Sequence, residues 1–145
     1  MKAADIEIKQ EALAAAFAEE PAVLAAWLFG SVARERAGPL SDIDFAVLLR
    51  SDAPGGIDRL MLLDRIAERV GRVLDLPAER VDVVPLGDQV TTFQHSVLAT
   101  GRLVYERDPV ARRHFAWQAI MRYLDFKPML DIYDRARYGK GRQRA

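Results

Sequence analysis

The stretch "LFGSVARERAGPLSDIDFAVLL", Leu28 to Leu49, places a Gly-Ser pair and an Asp-x-Asp triplet between two apolar runs. The second run, Ile43–Arg50, is typical of a buried strand, and Asp42 and Asp44 stand at its start. Two like charges about 4 Å apart repel by ~4 kcal/mol at an effective dielectric of about 20. A fold keeps such a pair only where something positive lies beside it or where water reaches both carboxylates.

The composition narrows the class of protein. A chain of 145 residues suits one domain, which we expect at residues 1–137, followed by a basic, flexible tail at 138–145. The chain has 21 basic and 21 acidic side chains, and this balance argues against strong sequence-independent binding of nucleic acid. The absence of cysteine excludes disulfides, thiolate metal sites and thiol nucleophiles.

The sequence shows no pattern for membrane insertion or export. Its longest apolar run, Ala22–Gly30, is far shorter than the ~20 residues of a membrane-spanning helix. The N-terminal "MKAADIEIKQ" mixes acidic and basic residues, unlike a signal peptide. We therefore expect a cytoplasmic protein without membrane contact.

Hydrophobic patterning predicts an α/β fold, a small mixed sheet of about four strands with helices packed on it. The predicted strands are Ala22–Gly30, Ile43–Arg50, Arg80–Leu86 and Arg102–Glu106. The predicted helices are Ile6–Glu19, Ser31–Arg36, Ile57–Leu74, Thr92–Thr100 and Pro109–Arg137, the last with a possible kink at Pro128. The first two strands are too close in sequence for a parallel crossover, so we expect them to be antiparallel.

Several aromatic and apolar residues are assigned to the core. Trp27 and Phe29 lie in the first apolar run, and the last helix carries a broad apolar band. We expect most of that band to be core and part of it to be a partner surface. The band consists of Phe115, Trp117, Ile120, Met121 and Leu124.

Three aspartates form the candidate metal site. Asp42 and Asp44 are two positions apart, so both would project from one face of a strand, about 6.6 Å apart along it. Asp82, in "VDVV", should face away from its valine neighbours, and the three carboxylates converge if strands two and three are adjacent. Oxygen ligands suit Mg²⁺ or Mn²⁺, and paired ions about 3.5–4 Å apart support in-line displacement at phosphorus.

Gly30 and Ser31 form a candidate phosphate site. Glycine lets the backbone approach a ligand closely, and backbone N–H groups at a helix start attract phosphate. Arg34, one turn further on, either reaches a phosphate oxygen or lies on a solvated helix face. Taken singly, Asp42 after Ser41 is equally a turn residue, and Asp44 an exposed edge position.

The segment "GSVARERAGPLSDID" resembles the signature of the DNA polymerase β-like nucleotidyltransferase superfamily, in which Gly-Ser precedes an Arg and a Ser-Asp-x-Asp motif. The resemblance covers about Ala22 to Leu86. The small size and the later "LATGRLVYERDP" are similar to minimal nucleotidyltransferases of the MNT type, the antitoxins of HEPN/MNT pairs. The resemblance implies the polymerase β-like nucleotidyltransferase fold.

The resemblance also implies an activity, in which AMP is transferred from ATP to a tyrosine of a HEPN ribonuclease toxin bound in a hetero-oligomer. The implied metal is Mg²⁺ or Mn²⁺, held by the three aspartates, with Asp82 as third carboxylate and candidate general base. The implied nucleotide-binding residues are Gly30, Ser31, Arg34 and Ser41.

Two other functions are compatible with the sequence. One is a binding-only antitoxin with a degenerate nucleotide site, which Glu35 favours because the family usually has glycine after the Arg. The other is a nucleotidyltransferase acting on a small molecule such as an aminoglycoside. The absence of a second domain to hold such a substrate argues against it.

Overall fold

The computed structural model describes residues 1–33 and 42–138, and of Ser31 it describes only the backbone. The predicted nucleotide-binding residues Arg34 and Ser41 lie outside this part of the chain, as does Glu35. Residues 139–145 of the predicted tail also lie outside it.

The described residues form a four-stranded mixed sheet, as predicted. The strands are β1 (Val23–Phe29), β2 (Ile43–Leu49), β3 (Val81–Pro85) and β4 (Arg102–Glu106), in the spatial order β3-β2-β1-β4. Strand β1 is antiparallel to both β2 and β4, whereas β2 and β3 run parallel. The short β1–β2 connection and the helical β2–β3 connection account for these directions.

Six α-helices surround this sheet within the described residues. They are α1 (Ala3–Ile8), α2 (Gln10–Ala18), α3 (Gly30–Ala33), α4 (Gly56–Leu74), α5 (Thr91–Thr100) and α6 (Pro109–Tyr138). The predicted N-terminal helix is instead two helices, because Lys9 leaves the helical conformation at φ −99° and ψ 13°. Helix α6 continues through Pro128. None of the helices in the described segments is long and apolar enough to cross a membrane.

The sheet is buried on both faces, which explains the continuous apolar runs of β1 and β2. One face packs against α1, α2 and α4, where Phe17 meets Phe45 at a ring-centroid distance of 5.4 Å. The opposite face packs against α5 and the first half of α6 around Trp27 and Val97. The fold therefore has three layers, helix, sheet and helix.

A buried carboxylate joins α2 to α4. Glu20, 8% exposed, accepts hydrogen bonds from Arg65 at 3.1 Å and Arg69 at 2.6 Å. Burial alone would raise the pKa of Glu20, but the two guanidinium groups outweigh it and hold the pKa below its ordinary value of 4.5. This ion pair ties α4 to the segment between α2 and the start of β1.

Two core assignments are wrong. Trp27 is buried as predicted, but Phe29 is only half-buried because it ends β1, where the sheet face opens into a cleft. On α6, Phe115 packs against the core, while most of the remaining band is exposed. The exposed fractions are 63% for Trp117, 41% for Ile120 and Met121, and 53% for Leu124. An apolar stripe on a helix predicts a face suited to burial, but it does not show whether this chain or another one covers that face.

Candidate active site

Three residues form a row across the sheet on the face toward α5. Phe29 on β1 is the cross-strand partner of Asp44 on β2, and Asp44 is the partner of Asp82 on β3. Adjacent strands are about 4.8 Å apart, so the two aspartates stand next to each other. Val81 and Val83 are buried on the opposite face, so Asp82 faces away from its valine neighbours, as predicted.

Gly30 follows this row and lies directly against it. Its φ of +79° is in the left-handed region, and a Cβ built there would overlap the Asp44 carboxylate, with Cγ only 3.2 Å away. Any residue other than glycine would displace this carboxylate or change the backbone. Helix α3 begins at Gly30, so backbone N–H groups at its start lie beside the acidic pair.

Asp42 lies one residue before β2, exposed to solvent. The β2–β3 register places it next to Arg80, whose Nε lies 3.8 Å from Asp42 Oδ1. Within residues 1–33 and 42–138, no three histidine, aspartate or glutamate side chains are close enough to hold one metal ion. The structure therefore brings Asp44 and Asp82 together and leaves Asp42 beside a guanidinium, one position away in the register.

The acidic pair lines a cleft of about 510 Å³ between the sheet and α5. This volume lies within the range of about 300–1,000 Å³ that is usual for small-molecule sites. Gly30, Asp44 and Asp82 form a polar part of the cleft, and its second part is lined by a mixture of apolar and polar side chains. The residues of that second part are Phe29, Val84, Gln89, Phe93, Ser96, Val97 and Thr100.

One face of α5 forms the wall opposite the sheet. Phe93, Ser96, Val97 and Thr100 are three, four and seven positions apart, which places them on one helix face. Phe93 packs edge-to-face on Phe29, with ring centroids 5.2 Å apart. The cleft therefore closes over the end of β1.

Gln94 fixes this wall. Its buried side chain donates a hydrogen bond from Nε2 to the Leu86 carbonyl at 3.0 Å, just beyond β3. Its Oε1 accepts a bond from Arg122 of α6 at 3.3 Å. The turn after β3, α5 and α6 are thus joined at one amide.

Sequence reasoning missed the cleft residues on α5 and the arginine beside Asp42. Arg80 could have been found from the parallel register, because it precedes Val81-Asp82 as Asp42 precedes Ile43-Asp44. The α5 wall follows the helical spacing of positions 93, 96, 97 and 100. That spacing alone gives no chemical signal, since most apolar helix faces belong to a core.

The fold is similar to that of several solved toxin–antitoxin structures. A mutant MntA-HpeT toxin-antitoxin matches with a TM-score of 0.62 and 22% identity, covering 86% of this chain and 97% of that one. A toxin-antitoxin with AMP-PNP matches with a TM-score of 0.60 and 23% identity, over 92% and 98% of the two chains. A complex of a tri-AMPylated Shewanella oneidensis HEPN toxin with an MNT antitoxin matches with a TM-score of 0.60 and 22% identity, covering 88% of this chain and 97% of that one.

A sequence-family comparison gives the assignment. No curated protein matches the sequence significantly. The family model "Polymerase beta, Nucleotidyltransferase" matches residues 11–110, which is 100 of the 145 residues and includes Gly30 and all three candidate aspartates. The chain therefore belongs to the polymerase beta nucleotidyltransferase family.

Proposed function

We propose that this protein transfers AMP from ATP to a tyrosine hydroxyl of a HEPN-type ribonuclease toxin and so acts as that toxin's antitoxin. The observation that carries the proposal is the pairing of Asp44 with Asp82 against Gly30, at the polar end of a cleft. Like charges that face each other across neighbouring strands repel, and a bound cation would offset that repulsion. The similarity to toxin–antitoxin structures supports the choice of partner.

The donor set fits a hard divalent cation. Asp44 and Asp82 offer adjacent carboxylate oxygens, the ligand type that Mg²⁺ and Mn²⁺ prefer. Asp42 is the third proposed ligand and would exchange its contact with Arg80 for the ion. When bound, the metal neutralises charge on the reacting phosphate and on the leaving group.

The remaining residues hold the nucleotide. Gly30 allows the backbone to approach the phosphates, and Ser31 follows it in α3. Arg34 and Ser41 stay in the proposed nucleotide-binding set, although both lie outside the described residues. Backbone N–H groups and a guanidinium are the usual donors to phosphate oxygens.

The reaction is a displacement at the α-phosphorus of ATP. The tyrosine oxygen forms a bond to the α-phosphorus, the bond from that phosphorus to the bridging oxygen breaks, and pyrophosphate leaves. The hydroxyl proton passes to a carboxylate, for which we propose Asp82, because it is exposed at the cleft. The product is a phosphodiester between AMP and the partner's tyrosine. The protein contributes chiefly by positioning the groups and stabilising charge.

The test is the intact mass of the co-expressed HEPN partner after incubation with this protein, ATP and Mg²⁺. We expect one or more AMP additions with the wild-type protein and none with the Asp42→Asn/Asp44→Asn double variant. Glu79→Gln, which removes an exposed charge close to Asp82 in sequence, should behave as wild type.

Partner mass that stays unchanged with wild-type protein would refute the transfer. If the partner is nevertheless bound and silenced, the result supports the binding-only antitoxin. Transfer that persists in the double variant would refute the metal assignment instead.

A further inference from the structure

Helix α6 carries an exposed apolar stripe on the side that faces away from the body. The helix packs inward through Phe115 and Ala119, and its Tyr123 ring stacks on His95 of α5 with ring centroids 3.7 Å apart. The opposite side repeats apolar residues at spacings of three, four, seven and eight positions, which keeps them on one helix face. We call this face the outer stripe; its members and their exposed fractions are Val110 (69%), Trp117 (63%), Ile120 (41%), Met121 (41%), Leu124 (53%) and Ile132 (60%).

The outer stripe has the area of a small protein–protein interface. Its residues expose on the order of 600 Å² of surface, which is the upper limit for the largest apolar patch of a typical monomer. Two such stripes laid against each other would bury about 1,200 Å², the lower limit for a specific interface. A second helix of the same kind therefore covers enough apolar surface for a weak but specific pairing.

An antiparallel second copy of α6 matches the outer stripe position by position. If Leu124 lies beside Ile120 and Met121 of the other copy, one heptad along both helices brings Trp117 beside Pro128. Pro128 lies within the helix and is exposed. A twofold axis repeats both contacts, so the apolar centre of the stripe is complementary to itself.

The charges at the two ends of the outer stripe fix the direction of this pairing. One heptad in the other direction, the same register brings Arg113 and His114 of one copy beside Asp131 of the other. All three side chains are exposed. Asp131 accepts a hydrogen bond from Lys127 at 3.1 Å within its own helix, but 54% of its side chain stays exposed. A parallel pairing would instead place each Asp131 and each Arg113 beside its own copy, where like charges repel.

We propose that the outer stripe binds a second copy of this chain, with the two α6 helices antiparallel about a twofold axis close to position 122. The observation that favours a second copy is the charge complementarity of the stripe with itself, because an unrelated partner would need no such symmetry. The modest area of the stripe makes this dimer a weak one. The pairing goes beyond the proposed function and does not depend on it.

The test is sedimentation equilibrium of the full-length chain without nucleotide or partner. The wild-type protein should pass from monomer to dimer between about 1 µM and about 1 mM, the range expected for a small interface. Arg113→Asp should raise the dissociation constant at least about tenfold, because it replaces two ion pairs with two like-charge contacts. The double variant Arg113→Asp/Asp131→Arg should restore the dimer. Leu124→Arg should abolish it, since two charges would then meet in the apolar centre.

Arg72→Asp is the matched control, because it makes the same charge change at an exposed position of α4, in the opposite layer. It should dimerise as the wild-type protein does. Thermal unfolding of each variant shows whether it is folded, which separates loss of pairing from loss of structure.

Single cysteines test the geometry, because the chain contains none of its own. Met121→Cys lies close to its own copy at the twofold axis, so a short bismaleimide should link it into a dimer. Val110→Cys should not be linked, because the antiparallel register separates the two copies of this position by more than about 30 Å along the helix axis. Linkage at both positions would indicate a parallel pairing and would overturn the register.

The remaining outcomes also decide the proposal. A chain that stays monomeric at the highest concentration overturns the pairing, as does a dimer that Leu124→Arg leaves unchanged. A dimer that is lost in Arg113→Asp and not restored by the added Asp131→Arg overturns the proposed register. If the chain is monomeric and Leu124→Arg prevents binding of the co-expressed HEPN partner, the stripe belongs to that partner. Because the assay contains no nucleotide, its result is independent of AMP transfer.

Discussion

Asp44 and Asp82 are direct cross-strand partners on the parallel strands β2 and β3, so their carboxylates project from the same face of the sheet. Like charges in this relationship normally weaken a sheet. The nearby Arg80 contacts Asp42, one position earlier in the register. A cation bound between the two carboxylates would offset this repulsion.

Removal of one charge of the pair should stabilise the metal-free protein. In EDTA, Asp82→Asn should raise the free energy of unfolding by up to about 1 kcal/mol, because the repulsion across the strands is lost. Urea unfolding at neutral pH measures this. Glu79→Gln, an exposed neighbour with the same charge change, should stay within about 0.5 kcal/mol of wild type. A clear loss of stability in Asp82→Asn would mean that the carboxylate has a structural partner instead.

Gly30 should not tolerate a side chain. Gly30→Ala introduces a Cβ at a left-handed backbone position, where it meets the Asp44 carboxylate. We expect a loss of about 1–2 kcal/mol in stability, and a far larger loss of AMP transfer because Asp44 is displaced. Thermal unfolding and the partner-mass assay measure the two effects separately.

Gly87→Ala is the control for that substitution. Gly87 is exposed, its φ is not in the left-handed region, and nothing lies within 4 Å of an added Cβ. It should therefore leave both stability and transfer nearly unchanged. A Gly30→Ala variant that transfers AMP as well as Gly87→Ala would contradict the role given to Gly30.

The Glu20 ion pair should make stability depend on pH on the acid side. The pKa of Glu20 is lowered in the folded state. The contribution of its charge to the free energy of unfolding is therefore complete above the ordinary value of 4.5, and it is lost as the pH falls through the folded-state pKa. At pH 7, Glu20→Gln should cost about 1–2 kcal/mol, since it breaks two charge-assisted bonds to partly exposed arginines.

The difference in the free energy of unfolding between wild type and Glu20→Gln should shrink as the pH falls below 4.5. Urea unfolding at a series of pH values measures this difference. Glu19→Gln is the control, because Glu19 also contacts Arg69 but is 63% exposed. Its effect should stay below about 1 kcal/mol. A constant difference between wild type and Glu20→Gln across the pH series is the result that rules out this account.

Much of the fold could be predicted because the sequence pattern is local. The apolar runs of β1 and β2 reflect burial on both faces, and the brief connection between them fixed their antiparallel direction. The placement of Asp82 opposite Asp44 needed β3 to lie beside β2, which follows from topology and not from the residues themselves. The aspartate–glycine part of the site was therefore predictable once the strand order was guessed.

The environment of other residues depends on which elements pack against them, and a single sequence does not show that packing. Phe29 belongs to an apolar run, yet its position at the end of β1 leaves it half-covered and in contact with Phe93. Trp117 and Leu124 lie on an apolar stripe of α6 but are exposed, whereas Phe115 and Ala119 of the same helix pack against the body. Asp42 was expected to join the other aspartates, and the structure places Arg80 beside it.

The most direct test of the central claim is calorimetric titration of AMP-PNP into the protein, with Mg²⁺ and with EDTA, for wild type and Asp44→Asn. If the Asp44–Asp82 pair holds the cation that carries the nucleotide, wild type binds AMP-PNP with Mg²⁺, and binding is lost both in EDTA and in Asp44→Asn. Equal binding in all these cases would contradict the claim, because the nucleotide would then be held without the acidic pair.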